Sequence, residues 1–134
     1  MIKTILNLLV VVMLLTGLQA CSSTEANKMV GHWVGTDGMG RPMEINFTRD
    51  RALSLFQGGQ MFEGRWAVVS CNQPLEIDLH LQMSPSYTKT IPMIVRYTDK
   101  GYLQFRISDE LKYRPTEFVE SAVPNQYTLM RKRS

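Results

Sequence analysis

The sequence has few of the residues on which several protein classes depend. Its 134 residues include two cysteines and two histidines, and charged residues make up only 20%. A disulfide scaffold is therefore ruled out, because such domains need several cysteine pairs. Fifteen basic and 12 acidic side chains give a net charge of +3, and from this near-neutral balance we expect no nucleic-acid partner, since such a binder would need a clustered basic face. Hydrophobic residues make up 44%, which excludes overall disorder.

Catalytic signatures are missing as well. The sequence has no glycine-rich loop before a helix, no G-x-S-x-G, no H-E-x-x-H and no Cys/His array. Glu76, Asp78 and His80 alternate along one segment, and such a group could bind a metal or serve acid–base chemistry only within an enclosing cleft. We interpret these three residues as a solvated strand face. The sequence predicts a protein that is not an enzyme, with no catalytic residue, metal or cofactor.

The first 20 residues have the pattern of an export signal. Lys3 precedes an apolar segment at 5–15, and its length of about 11 residues is too short to span a bilayer. The segment ends in Leu18-Gln19-Ala20-Cys21, which resembles the lipobox of bacterial lipoproteins. The resemblance implies cleavage before Cys21 and a lipid on its thiol. Because Ser rather than Asp follows, it also implies an anchor in the outer membrane that faces the periplasm. Residues 21–28 then form a short lipidated tether.

A lipid on Cys21 has a consequence for Cys71. The sequence then offers no second cysteine for an intramolecular disulfide of Cys71. Cys71 follows the apolar run Val68-Val69, and no His or further Cys lies at metal-ligand spacing. We therefore expect a small, buried or half-buried thiol, and a reactive or metal-binding thiol is the weaker alternative.

Residues 29–134 consist of short segments of alternating polarity between turn signals, which is typical of an antiparallel barrel or sandwich. Connections such as Gln57-Gly58-Gly59 are too short for parallel crossovers. The fold class is therefore all-β, and we expect one domain, an eight-stranded antiparallel up-and-down barrel. The predicted strands are Gly31 to Gly35, Met43 to Thr48, Ala52 to Phe56, Met61 to Val69, Leu75 to Met83, Ile91 to Thr98, Tyr102 to Ser108 and Gln126 to Arg131.

The alternation places the apolar residues of every strand on one face and the polar residues on the other. The interior of such a barrel either is filled by its own side chains or holds one small ligand. The inward residues expected to contact a ligand are Met43, Phe47, Phe62, Trp66, Met93 and Phe105.

Gly31 and Trp33 begin the first strand, and Arg131 ends the last. This arrangement is similar to that of the lipocalins, in which G-x-W begins strand one and an arginine of the final strand covers the tryptophan. The resemblance implies a lipocalin-like barrel with a cation–π contact between Arg131 and Trp33 at its closed end.

A second resemblance covers residues 29 to 133. The segments Pro74-Leu75-Glu76-Ile77-Asp78-Leu79 and Arg114-Pro115-Thr116-Glu117-Phe118 match motifs of small lipocalin-like bacterial domains of unknown function. Pro115 fixes its own φ and extends the residue before it, so we expect Arg114, Pro115 and Phe118 to form a structural cap. In that cap Phe118 covers one barrel end and Arg114 pairs with Glu117.

Two functions remain open from the sequence. The first is a membrane-anchored, non-catalytic lipoprotein that binds a small hydrophobic or lipid-like molecule inside the barrel. The second is an accessory or inhibitor module with a filled barrel, which binds an envelope protein through its outer face and the loops 35–41 and 109–124. The basic C-terminal run at 131–133 is interpreted as a solvated tail, which on a tethered protein could also rest on anionic lipid head groups or cell-wall polymers. A cavity of about 300–1,000 Å³ would favour the first function.

Overall fold

A computed structural model describes residues 24–108, 110 and 112–133. The expected signal peptide at 1–20 and the lipidation site Cys21 lie outside these residues. A single helical turn, α1, precedes eight strands, and no helix in the described part of the chain has the length and apolarity to cross a membrane. The elements are α1 Thr24–Asn27, β1 Gly31–Asp37, β2 Pro42–Phe47, β3 Ala52–Gln57, β4 Gln60–Ser70, β5 Leu75–Ser84, β6 Tyr87–Tyr97, β7 Leu103–Ile107 and β8 Gln126–Arg131.

The strands form a closed antiparallel barrel. Each strand pairs with the next along the chain, and β8 pairs back with β1 from Trp33↔Arg131 to Asp37↔Tyr127. The predicted all-β, up-and-down barrel is therefore confirmed. The largest difference in strand limits is in β6, which begins at Tyr87 rather than Ile91. Residues Gln82 to Thr88 form the tip of the β5–β6 hairpin, and all of them are exposed. The sequence therefore shows no alternation of apolar and polar residues at the start of β6.

The inward positions of the strands form the core, as the alternation predicts. In β5 the buried and partly exposed residues alternate strictly from Leu75 to Leu81. The largest side chains below 2% exposure are Trp33, Trp66, Tyr127, Phe47, Phe105, Met29, Ile45, Ile77, Met93, Ile94, Leu103 and Leu129. Phe47 and Trp66 meet edge to face inside the barrel, with ring centroids 5.3 Å apart.

The barrel has two different ends. The α1 end carries α1, the turns at 48–51, 71–74 and 98–102, and the residues after β8; the open end carries the turns at 38–41, 58–59 and 85–86 and the loop 108–125. Ala26 and Met29 of the α1 segment are buried in the core. The Arg131 Cζ lies 4.4 Å from the centroid of the Trp33 ring, and the Trp33 Nε1 donates to the Met29 carbonyl at 2.8 Å. The predicted closure by Trp33 and Arg131 is confirmed at the α1 end.

Loop 108–125 folds back over the outside of the barrel, which corrects two expectations. The Arg114 guanidinium binds the Asp78 carboxylate at 2.5 Å instead of Glu117, and it also donates to the carbonyls of Ile77 and Met93 at 2.9 Å. These three acceptors are partly shielded from water, whereas Glu117 is exposed. Hydrogen bonds from the guanidinium to the sheet therefore stabilise the loop more than an ion pair with Glu117 would.

Phe118 does not cover a barrel end either. Its ring lies against the outer face of the sheet, with its centroid 4.2 Å from the Arg96 Cζ. The Arg106 Nη1 donates to the Glu117 carbonyl at 2.6 Å and holds this part of the loop along β7. The motif of Arg114, Pro115 and Phe118 therefore fastens the loop to β5, β6 and β7 instead of capping a barrel end.

Candidate functional site

The open end of the barrel contains a cleft of about 860 Å³. Strands β1, β2, β3, β7 and β8 contribute to it at the ends where they meet the open-end turns. Its lining residues are Val34, Gly35, Arg41, Pro42, Met43, Glu44, Phe56, Gln57, Gly58, Gly59, Ile107, Ser108, Asn125 and Tyr127. This volume lies within the range of about 300–1,000 Å³ found for small-molecule sites.

The structure places only one of the predicted ligand contacts in this cleft. Met43 lines it, whereas Phe62 is partly buried against the core and does not. The other four side chains are at most 1% exposed in the core: Phe47, Trp66, Met93 and Phe105. Alternation predicts that a residue faces the interior, but it does not predict how far along the barrel axis the residue lies. These four side chains belong to the packed core instead.

A hydrogen-bonded pair of side chains lies at the inner wall of the cleft. The Gln57 Nε2 donates to the Tyr127 Oη at 2.7 Å, and the Tyr127 ring stacks on Phe105 with centroids 5.1 Å apart. Burial raises the pKa of Tyr127, so its hydroxyl keeps its proton at neutral pH. Because Gln57 occupies an acceptor position of this hydroxyl, the Tyr127 O–H can donate to a further group.

The rim of the cleft is fixed by a buried carboxylate, Asp37. The Arg41 Nε donates to it at 2.7 Å and the Arg41 Nη2 lies 2.6 Å away, while backbone N–H groups of Met39, Arg41 and Asn125 donate at 3.0 to 3.3 Å. Burial alone would raise the pKa of Asp37, but these hydrogen bonds outweigh it and lower the pKa below its ordinary value. One side chain thereby joins the β1–β2 turn to the start of β8.

Both charged groups of the cleft are paired. Arg41 shares its charge with Asp37, and the Glu44 carboxylate lies 2.6 Å from both the Lys132 Nζ and the His32 Nε2. The hydrogen bond from Lys132 is the main cause that lowers the pKa of Glu44. The cleft therefore combines apolar walls with hydrogen-bonding groups and carries little uncompensated charge. Such a lining fits an uncharged amphipathic molecule better than an anion.

The ion pair of Asp37 with Arg41 makes the free energy of unfolding depend on pH. A lowered folded-state pKa stabilises the protein above about pH 4, and this contribution is lost as the pH falls through the folded pKa. We expect Asp37→Asn to lower the free energy of unfolding at pH 7 by about 2–3 kcal/mol, since charged hydrogen bonds of about that strength are lost. Urea unfolding between pH 2 and pH 7 should then show less acid loss in Asp37→Asn than in the wild type.

The control for this prediction is Asp99→Asn, which removes an exposed turn carboxylate. It should leave the free energy of unfolding at pH 7 within about 0.5 kcal/mol of the wild type. An Asp37→Asn protein that loses as much stability in acid as the wild type would contradict the assignment.

The alternate residues Glu76, Asp78 and His80 do not form a site. Asp78 is bound by Arg114, and the His80 Nδ1 lies 2.9 Å from the Thr90 Oγ1. Across residues 24–108, 110 and 112–133, no three His, Cys, Asp or Glu side chains are grouped so that they could hold a metal ion. The Asp78 carboxylate is also less solvated than the sequence suggested, because the loop covers it.

Cys71 is partly buried and packs against the core, as predicted. It is disulfide-bonded, so the expectation that it forms no disulfide is wrong in this structure. Cys21 is the sequence's other cysteine and lies outside the described residues. A Cys71 disulfide within one chain and a lipid on the Cys21 thiol therefore exclude each other.

Sequence reasoning missed Gln57, Ile107 and Tyr127 as cleft residues. Their signal is positional: each lies at a strand end next to an open-end turn or loop. The chain matches no protein-family model, no curated protein and no solved structure.

Proposed function

We propose that the barrel is a non-catalytic binding domain that holds a small, uncharged amphipathic molecule in its open-end cleft. The observation that carries the proposal is the cleft of about 860 Å³ at the open end of the barrel, opposite the end that Trp33 and Arg131 close. Apolar contacts come from Pro42, Met43 and Ile107, and the Gln57 amide and Tyr127 hydroxyl supply polar contacts. The resemblance to lipocalins, based on Gly31, Trp33 and Arg131, supports a ligand-binding barrel.

We further propose that the protein is a lipoprotein of the bacterial envelope, anchored in the outer membrane and facing the periplasm. The lipobox-like Leu18-Gln19-Ala20-Cys21 supports this proposal, which requires that the lipidated chain has no Cys71 disulfide to Cys21. The mature protein should carry a diacylglycerol thioether on Cys21, and Cys21→Ser should release it from the membrane fraction. Mass spectrometry of the purified protein would decide the point, because a Cys21–Cys71 disulfide in the mature chain would contradict lipidation.

Removal of the Tyr127 hydroxyl tests the binding proposal. Tyr127→Phe keeps the stacking on Phe105 and removes one polar contact of the cleft. We expect its affinity for 1-decanoylglycerol, measured by calorimetry with residues 21–134 produced without lipid, to fall about 3- to 10-fold, the usual range for one hydrogen bond. Decanoate, which has a chain of the same length and a charge, should bind the wild type at least about tenfold more weakly.

Tyr97→Phe is the matched control. The Tyr97 hydroxyl also makes one hydrogen bond, to the Glu25 carbonyl at 2.8 Å, but it lies at the α1 end. Its loss should leave the affinity unchanged. Equal losses in the two variants, or no binding of either probe to the wild type, would overturn the proposal.

An exposed apolar pair supports a second candidate, the accessory or inhibitor module. Phe56 and Met61 are cross-strand partners on the outer face of β3 and β4, and they are 42% and 61% exposed. Together with His32, Glu44 and Ser54 they line a small depression of about 160 Å³. Exposed aromatic and Met side chains of this kind are enriched at protein interfaces.

Site-specific crosslinking distinguishes the second candidate from the first. A photoreactive residue at Met61 should capture an envelope protein in cells, whereas the same residue at Tyr87, which is also exposed but lies at the tip of the β5–β6 hairpin, should not. A crosslink from both positions, or from neither, would remove the support that Phe56 and Met61 give to this candidate.

A further inference from the structure

The α1 end carries basic residues whose charge is not neutralised by carboxylates. Its basic residues are Lys28, Arg49, Arg51, Lys100, Arg131, Lys132 and Arg133, and its acidic residues are Glu25, Asp50 and Asp99. Among the described residues, the salt bridges of these basic groups are those of Lys28 with Glu25 and of Lys132 with Glu44. The remaining positive charges face solvent or neutral groups.

Two arginines of the α1 end, Arg131 and Arg51, contact neutral groups and therefore keep an uncompensated positive charge. The Arg131 Nη1 and Nη2 donate to the carbonyls of Val30 and Lys28 at 3.0 and 2.7 Å, and the Arg51 Cζ lies 4.1 Å from the Trp66 ring centroid. Carbonyl oxygens and an indole ring orient a guanidinium without cancelling its net charge. Arg49 and Lys100 are exposed on turns at opposite sides of the α1 end, and Arg133 is exposed after β8.

The open end differs in this respect. Two of its guanidinium groups, Arg41 and Arg114, each bind a carboxylate, of Asp37 and Asp78. The loop there also exposes three carboxylates, Glu110, Glu117 and Glu120. The surface of the barrel is therefore electrostatically polarised along its axis, with the uncompensated positive charge concentrated at the α1 end.

The chain enters the barrel at this same end. The Glu25 carbonyl accepts from the Tyr97 hydroxyl, and buried Ala26 and Met29 fix the α1 segment to the core. Cys21 precedes Thr24 by three residues. Because an extended residue spans at most about 3.6 Å, Cys21 lies no more than about 11 Å from Thr24. A lipid on Cys21 would thus hold the basic end within about one Debye length of a bilayer.

We propose that the α1 end is a docking surface for an anionic phospholipid bilayer, on which the barrel stands with its open end directed away from the membrane. The surface is formed by Arg49, Lys100, Arg131 and Arg133 and needs no residue of the cleft. It therefore stands independently of the ligand proposal. It also predicts that the cleft exchanges its ligand with the aqueous phase and not directly with the bilayer beneath the barrel.

Vesicle flotation tests the proposal on residues 21–134 produced without lipid, a chain that contains the whole closed barrel. This protein should bind vesicles of phosphatidylcholine with about 30 mol% phosphatidylglycerol, and it should not bind phosphatidylcholine alone. The double variant Arg49→Gln/Lys100→Gln should weaken binding roughly 20- to 30-fold, because each basic residue near such a surface is worth about fivefold in affinity. About 0.5 M salt should abolish binding.

Lys89→Gln/Lys112→Gln is the matched control, with the same loss of charge at positions outside the α1 end. It should bind the anionic vesicles as the wild type does. An equal loss in the control, equal binding to phosphatidylcholine, or binding to poly-glutamate but not to vesicles would overturn the proposal. The last result would assign the surface to an acidic polymer or protein instead. Thermal unfolding of both double variants should show unchanged stability, since all four side chains are on the surface.

Discussion

Replacement of Trp33 by alanine is expected to lower the free energy of unfolding by about 3–5 kcal/mol, the usual cost of removing a buried tryptophan. Trp33 is 1% exposed and closes the α1 end of the core. The substitution also removes the hydrogen bond to Met29 and the ring on which Arg131 lies. Because a domain of this size is stable by only about 5–15 kcal/mol, the variant should be close to unfolding at 37 °C.

Urea unfolding followed by circular dichroism measures this loss. Tyr113→Ala is the control, since it removes an aromatic side chain that is 57% exposed and should change the stability by no more than about 0.5 kcal/mol. A Trp33→Ala protein with a stability similar to that of the control would mean that the α1 end is not closed as described.

Replacement of Gly64 by alanine should cost at least about 3 kcal/mol, at the upper end of the range for overpacking. A Cβ at this position would lie 1.9 Å from the His80 carbonyl oxygen and 3.0 Å from the Leu81 Cα. Both atoms belong to the backbone of the adjacent strand β5, so no side-chain rotation can relieve the contact. Glycine at such a position lets two strands approach closely where the barrel curves.

Gly101→Ala is the control, because it measures the loss of stability when a glycine is replaced where no neighbouring strand is in contact. Gly101 has a φ of +80°, and nothing lies within 4 Å of its ideal Cβ. Its replacement should cost about 1–2 kcal/mol, which is the strain of the left-handed conformation. If Gly64→Ala proved no more destabilising than Gly101→Ala in urea unfolding, the spacing of β4 and β5 described here would be wrong.

The sequence predicted the barrel because its signal is local. Met43, Ile45 and Phe47 alternate with Glu44 and Asn46, and that period of two already determines which face is buried. The pairing of Trp33 with Arg131 was predicted from a resemblance, since no local pattern joins the first strand to the last.

No local sequence pattern predicts the contacts of loop 108–125. Arg114 and Asp78 are 36 residues apart, and nothing near either residue identifies its partner. Glu117 was the nearest carboxylate in sequence, but folding placed Asp78 and two backbone carbonyls in a better position.

The same limit applies to the cleft. Met43 and Phe47 share one strand and one face, yet only Met43 reaches the open end. Asp37 lies among turn-forming residues in Thr36-Asp37-Gly38, and nothing in that segment predicts its hydrogen bond with the Asn125 N–H, 88 residues away. The fold follows from periodicity, whereas the site depends on which end of the barrel is filled.

Methyl NMR of the methionines during titration with 1-decanoylglycerol tests the ligand proposal most directly. Met43 lines the cleft, Met93 is fully buried in the core, and Met61 lies on the outer face next to Phe56. The account predicts a saturable shift of the Met43 methyl signal, a smaller shift of Met61 beside the cleft residue Phe56, and no shift of Met93. A shift confined to Met61, or no shift up to the solubility limit of the probe, would contradict it.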